Sequence, residues 1–132
     1  MQTLEEIMTP HRVEIPAHLE AQAEVPLLSG LQRQGDVLVI PIRPGQVAGQ
    51  KRIPSEGFPV VRGEAGGNTH LLVGTGSFAS RNQGTDQGTL VVNEGESAYL
   101  IHPEHGATGI GPGMYTIRRQ REMADEIRLV AD

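Results

Sequence analysis

Short apolar segments, separated at close intervals by turns rich in glycine and proline, run through most of this sequence. The clearest are DVLVIPI (36–42), FPVVRG (58–63), THLLVG (69–74), TLVV (89–92), SAYLIH (97–102) and MYTIRRQRE (114–122). Seven to nine short strands joined by frequent turns are typical of a β-barrel or a β-sandwich. We therefore predict an all-β fold with one small barrel or sandwich, and a cupin-like barrel is the first architecture we expect.

The composition agrees with this prediction and excludes several classes of protein. The chain has 132 residues, which suits one domain, and it contains 17 glycines, 9 prolines and only 3% aromatic residues. The core must therefore be built from aliphatic side chains. The absence of cysteine excludes disulfides, zinc–thiolate sites and a cysteine nucleophile. A net charge of −5 argues against nucleic acid as a partner.

The first 30 residues differ from the rest and are predicted to form an N-terminal arm, with the β domain over 31–132. Thr3 is a plausible cap for one or two helical turns over LEEIM, and Pro10 stops them. Residues 9–30 hold three prolines and little periodicity, which indicates extended chain lying on a surface. Such an arm can pack on a neighbouring subunit, so we expect a homo-oligomer, although a flexible tail fits equally well.

Two further segments are predicted as loops, and the chain lacks the features of a membrane or exported protein. Residues 43–57 read as a long loop, and residues 81–88 as a second, mobile one. The final EIRLVAD segment (126–132) is predicted to close the domain as its last strand. No apolar run approaches the roughly 20 residues that span a bilayer, and MQTLEEIMTP is no secretory signal. We expect a cytoplasmic protein, or alternatively one in a virion.

Three histidines beside turns are the best candidates for a binding site. By the period of two along a strand, His70 shares a face with Leu72, and His102 shares a face with Leu100. Since those leucines should point inward, both imidazoles are expected at the inner rim of the fold. His105 follows His102 across a proline turn that can bring its ring back toward the same point.

Neutral imidazoles with a carboxylate suit a divalent transition metal such as Zn, Fe, Mn or Ni. The predicted metal ligands are His70, His102, His105 and Glu104. The further ligand-binding candidates are Glu64, Asn68, Tyr115 and Arg119. The competing interpretation is structural, because a histidine at a strand end more often bonds a backbone carbonyl than a metal.

Other motifs give weaker indications. The basic run Arg118–Arg121 could bind phosphate or carboxylate, but the acidic residues 122, 125 and 126 follow at once and favour local ion pairs. The glycine runs lack the Gly-Lys-Ser/Thr of a phosphate loop, and no serine lies in a nucleophile elbow.

Several of these segments together resemble a group of small, uncharacterised bacterial and phage proteins. The matching segments are QGDVLVIPI (34–42), GEAGGNTH (63–70), HPEHG (102–106), GPGMYTIRRQRE (111–122) and IRLVAD (127–132). The resemblance implies a metal-binding β-barrel, loosely similar to the cupins with their G…H-x-H motif. Where the group has the first histidine of H-x-H, this sequence has Asn68, and asparagine is a poor ligand for transition metals.

These observations leave three functions open. The first is a cupin-like metal-binding domain, with or without enzymatic activity. The second is a structural or assembly protein, for example a phage capsid decoration protein whose arm contacts neighbouring subunits. The third is a module that holds a small ligand among Leu72, Leu100 and Ile117 without performing chemistry.

Overall fold

The computed structural model describes residues 1–63 and 68–120, and almost all of its regular structure is β. One short helix, α1 (Leu4–Met8), is followed by a 3-10 turn at Thr9–His11. The strands are β1 Leu27–Leu28, β2 Gln32–Gln34, β3 Val37–Ile42, β4 Lys51–Arg52, β5 Phe58–Val61, β6 His70–Gly74, β7 Ser77–Gln83, β8 Asp86–Val92, β9 Ala98–His102, β10 Gly106–Ile110 and β11 Gly113–Arg119. The all-β prediction is confirmed.

The strands form two sheets that pack as a sandwich. One sheet has the order β1-β10-β9-β6-β5, and the other has the order β2-β3-β11-β8-β7-β4. Within the described ranges the sheets do not close into a barrel, so the sandwich alternative is the observed one and the cupin-like barrel is not. Strands β1 and β4, at two of the sheet edges, are only two residues long.

The main core lies between the sheets and is aliphatic, as the composition predicts. Its fully buried members include Val37 and Val39 from β3, Leu72 from β6, Leu100 from β9 and Ile117 from β11. The alternation along β3 follows directly, because Val37 and Val39 are buried while the residues between and after them are more exposed.

A second core covers the outer face of the five-stranded sheet. Alternate residues of β6 and β9, among them Tyr99 and Ile101, point away from the main core and pack against Leu4, Ile7 and Met8 of α1. Thr3 caps this helix with a capping box, as its sequence predicts. The predicted arm therefore begins with a helical turn and lies on its own sheet, and β1 pairs in parallel with β10.

The predicted loop over 81–88 is instead a hairpin, and this prediction was wrong. Strand β7 continues to Gln83 and β8 begins at Asp86, so only two residues form the turn. The segment is polar because this end of β7 is exposed, and a polar strand end resembles a loop in sequence. The long loop over 43–57 is interrupted only by β4. The predicted last strand over 126–132 lies outside the described residues.

Both sheets are irregular at one end of the sandwich. The pairing of β5 with β6 shifts between Pro59 and Val61, and the pairings of β8 shift on both sides of Gln87. The β2–β3 and β9–β10 turns lie at the same end, which also receives the last residue of β11. Bulges bend strands and redirect side chains, and they are frequent beside functional sites.

Candidate functional site

The three histidines predicted as a site converge at this irregular end. The ring centroids of His70 and His102 are 4.3 Å apart, those of His102 and His105 are 4.7 Å apart, and those of His70 and His105 are 6.3 Å apart. His70 begins β6 and His102 ends β9, which pair as neighbours. Both rings are buried, whereas His105 lies in the exposed β9–β10 turn. The expected positions of the rings are therefore observed.

The orientation of His70 is fixed by Gln34, a buried residue from the opposite sheet. The Gln34 amide nitrogen donates to the Leu100 carbonyl at 2.7 Å and to the Thr108 hydroxyl at 3.1 Å. Its amide oxygen must then face His70 and accept the Nδ1 proton at 2.9 Å. With the proton held on Nδ1, the lone pair of His70 Nε2 points toward the Asp36 carboxylate, whose Oδ1 is 3.6 Å away.

His70 is therefore neutral at physiological pH. Burial lowers the pKa of His70 to about 4, and the positive charges of His102, His105 and Arg119 act in the same direction, against the raising effect of Asp36. A lone pair and a carboxylate oxygen then face one another with no proton between them. This arrangement of two acceptors attracts a cation.

His102 has a different role from His70, because both of its ring nitrogens are hydrogen bonded. Its Nε2 donates to the backbone carbonyl of Asn68 at 3.1 Å. Its Nδ1 accepts the backbone N–H groups of Glu104 at 3.0 Å and His105 at 3.3 Å. Burial and the neighbouring charge of His105 lower the pKa of His102. These hydrogen bonds require a neutral imidazole. The neutral His102 ring thus holds the β9–β10 turn in place.

His105 packs against Gly35, and any larger residue at position 35 would displace the His105 ring. Gly35 occupies the two-residue β2–β3 turn with a φ of +59°. A Cβ atom at this position would lie 2.8 Å from His105 Nε2 and 3.5 Å from His70 Cε1. The glycine therefore permits both the left-handed turn and the close approach of the ring.

These side chains line a cavity of about 290 Å³, which we call the histidine cavity. Its lining residues are Asp36, Val61, Arg62, Gly63, Asn68, His70, His102, Glu104, His105 and Arg119. Five residues besides the histidines were predicted for the site, and the structure places three of them in this cavity. Glu104, Asn68 and Arg119 line the cavity, and Glu64 lies outside the described residues.

Tyr115, also predicted as a ligand-binding residue, lies elsewhere. Its side chain is fully buried in the main core, and its hydroxyl donates to the Gly111 carbonyl at 2.7 Å. It is absent from the described lining of the histidine cavity. The residue lies near the start of β11, at the opposite end of the strand from Arg119.

Sequence reasoning missed three residues of the site: Gln34, Asp36 and Arg62. The first two flank the Gly35 turn, and their only signal was the QGD segment before a strong strand. Arg62 follows the bulged end of β5. Recognising any of them required knowledge of which strand ends meet, and that depends on the packing of the two sheets.

The described residues were compared with the requirements of a metal site. Over 1–63 and 68–120, no group of three or more histidine, aspartate or glutamate side chains is gathered so that it could hold an ion. Two acceptors, His70 Nε2 and Asp36 Oδ1, already face each other. Glu104 and His105 are exposed on the β9–β10 turn and line the same cavity as that pair.

The fold and the site define a small two-sheet β domain with a histidine-lined cavity at one end. A family model described as "Domain of unknown function (DUF8820)" matches residues 33–120, which is more than half of the chain. The chain belongs to this family. Searches of curated proteins and of solved structures found no match. The described residues contain no helix long and apolar enough to cross a membrane.

Proposed function

We propose that this domain binds one divalent transition-metal ion in the histidine cavity. His70 Nε2 and the Asp36 carboxylate are the first two ligands, and His105 is the third. Glu104 is a further carboxylate within the same turn. His102 supports the site by holding the β9–β10 turn, and Gln34 supports it by fixing the tautomer of His70.

The observation that carries this proposal is the pair of facing acceptors. A metal about 2.1 Å from both His70 Nε2 and Asp36 Oδ1 would span their 3.6 Å separation with an angle of about 120°. The Gln34 contact to Nδ1 is the kind of outer hydrogen bond that orients metal-binding histidines. Nitrogen and carboxylate ligands together suit Zn, Ni, Mn or Fe(II).

Direct titration tests the proposal. Protein prepared without a histidine tag and treated with EDTA is titrated with Zn²⁺, Ni²⁺ and Mn²⁺ by calorimetry, and unfolding is followed in parallel. We expect one ion per chain for at least one metal, with a rise in the unfolding temperature because the metal binds the folded state. Absence of stoichiometric binding by all three metals would overturn the proposal.

Matched variants locate the ion. His70→Gln should abolish binding, and Asp36→Asn should weaken it at least tenfold. Asp36 is partly exposed, so its variant should remain folded even if His70→Gln does not. His18→Gln is the control, because His18 is exposed and outside the cavity. Equal losses in His18→Gln and Asp36→Asn would show that the ion binds elsewhere.

A second candidate function is subunit assembly, and exposed leucines favour it. Leu27, Leu28 and Leu31 are 40%, 50% and 66% exposed, and the first two form β1 at the edge of a sheet. Exposed edges with apolar side chains tend to pair with other chains. Sedimentation velocity should show an oligomer that Leu28→Lys dissociates and Ala48→Lys does not. A monomer at every concentration would exclude this function.

A further inference from the structure

A second cavity adjoins the histidine cavity and shares part of its wall. It has a volume of about 410 Å³, and Val61, Arg62 and Arg119 line both cavities. We call it the neighbouring cavity. Together the two volumes fall within the range of about 300–1,000 Å³ that is usual for small-molecule sites. Both cavities are thus in contact with the same two arginine side chains.

The neighbouring cavity is produced by the same strand irregularities that distort this end of the sandwich. Val60 is the extra residue of the β5 bulge, and Gln87 is the extra residue of β8. Both line the neighbouring cavity. The cavity is thus formed by the backbone path of both sheets and not by the rotamer of one surface side chain.

The lining of the neighbouring cavity is uncharged except at its junction with the histidine cavity. Ser80, Asn82 and Gln87 supply neutral polar groups, and Phe58 supplies an apolar surface. The described residues around it include no carboxylate. The charged groups are the guanidiniums of Arg62 and Arg119, both at the shared wall.

We propose that this junction binds the oxyanion group of a small ligand, a carboxylate or a phosphate, with Arg62 as its main contact. The planar guanidinium fork matches two oxygens of such a group. The neutral part of the ligand occupies the neighbouring cavity. One oxygen faces the metal held by His70 and Asp36, and this contact rests on the proposed function. The ligand class is therefore a small, uncharged polar body that carries one anionic head.

The test compares simple oxyanions with a neutral analogue on metal-free and Zn²⁺-loaded protein. Malonamate, which has one carboxylate and one neutral amide, represents carboxylates, methylphosphonate represents phosphates, and malonamide is the neutral control. Binding is measured by calorimetry and by NMR shifts of backbone amides around Arg62 and Gln87. We expect at least one oxyanion to bind, at least tenfold tighter with Zn²⁺, and malonamide not to bind.

Variants distinguish the two proposals from each other. Arg62→Gln should weaken the oxyanion at least tenfold and leave Zn²⁺ affinity within threefold. Arg43→Gln, an exposed arginine outside both cavities, should change neither. If Zn²⁺ binds and neither oxyanion does, or if Arg62→Gln binds oxyanion normally, this inference is overturned while the metal proposal stands. If oxyanion binding depends on Arg62 but Zn²⁺ never binds, the metal proposal fails and the anion site remains.

Discussion

The Gln34 side chain joins the two sheets by accepting the Nδ1 proton of His70 while donating to the Leu100 carbonyl. Gln34 ends β2 in one sheet, whereas His70 and Leu100 belong to the other. A buried polar side chain with all of its groups bonded stabilises one arrangement of its neighbours, since any other would leave a group unpaired. This residue therefore connects the stability of the sandwich with the geometry of the histidine cavity.

Removing the amide of Gln34 should lower both the stability of the protein and its affinity for a metal ion. Gln34→Leu leaves the His70 Nδ1 proton buried without its acceptor and removes the hydrogen bonds to the Leu100 carbonyl and the Thr108 hydroxyl, so we expect a loss of about 2–3 kcal/mol in the free energy of unfolding. Zn²⁺ affinity should fall about 10- to 100-fold because His70 loses its orientation. Urea unfolding and calorimetry measure the two effects. Gln46→Leu, at an exposed loop position, is the control and should change neither.

Acid should destabilise the metal-free protein through His70. Its pKa of about 4 in the folded protein lies below the ordinary histidine value of 6.5, so the unfolded chain takes up the proton first. The stabilisation from the neutral ring is complete above pH 6.5 and is lost as the pH falls from about 6.5 to about 4. At pH 4.5 the loss should reach about 2.5 kcal/mol.

Urea unfolding at pH 7 and pH 4.5 in EDTA measures this dependence. His70→Gln should lack that part of the decrease, whereas His18→Gln should keep the full decrease of the unsubstituted protein. A His70→Gln variant with an unchanged pH dependence would show that other groups account for the acid sensitivity.

Gly35→Ala should displace His105. The φ of +59° disfavours alanine by about 1 kcal/mol, and the added methyl would meet the His105 ring at 2.8 Å. We expect a total loss of about 1–2 kcal/mol and a changed NMR signal from the His105 ring. Gly30→Ala is the control, because a Cβ atom there has open space around it. An unperturbed His105 signal in Gly35→Ala would contradict the described packing.

Met8→Ala tests whether the N-terminal segment is part of the folded unit. Met8 is fully buried in the second core, so truncation should cost about 2–4 kcal/mol. Leu31→Ala, at an exposed position, should cost little. The unfolding midpoint should not depend on protein concentration if the segment packs on its own chain. A midpoint that still depends on concentration in the Leu28→Lys variant would indicate that the segment is exchanged between subunits, the arrangement expected of an assembly arm.

The strands, and the side of the sheet on which the histidines lie, could be predicted from sequence because both depend on the alternation of apolar and polar residues along a strand. The side chains of Leu72 and Leu100 were expected to point into the core. His70 and His102 each lie two residues from one of these leucines on the same strand, so they face the same side of the sheet. Gln34 and Asp36 could not be assigned to the site in this way. Gln34 ends β2 of the other sheet and Asp36 lies in the turn that follows, and their position opposite His70 follows from the pairing of β3 with β11 and the packing of the sheets.

The hairpin at 81–88 shows a second limit of sequence reasoning. Its strands carry Arg81 and Asp86, which form an ion pair across the hairpin with an Nε–Oδ2 distance of 2.9 Å. Such cross-strand pairs stabilise exposed strand ends without apolar residues. The composition of the segment is that of a loop, and only its pairing with a neighbouring strand distinguishes a hairpin from a loop here.

The matched family region begins at residue 33, but the second core draws on residues 4–25. A shortened protein that starts at residue 33 would expose the apolar side chains of Val73, Tyr99 and Ile101 to water on the outer face of the five-stranded sheet. Anyone expressing this domain for binding studies should therefore begin at the first methionine. Precipitation of the shorter version would result from the loss of this covering segment, and it would not bear on the function of the histidine cavity.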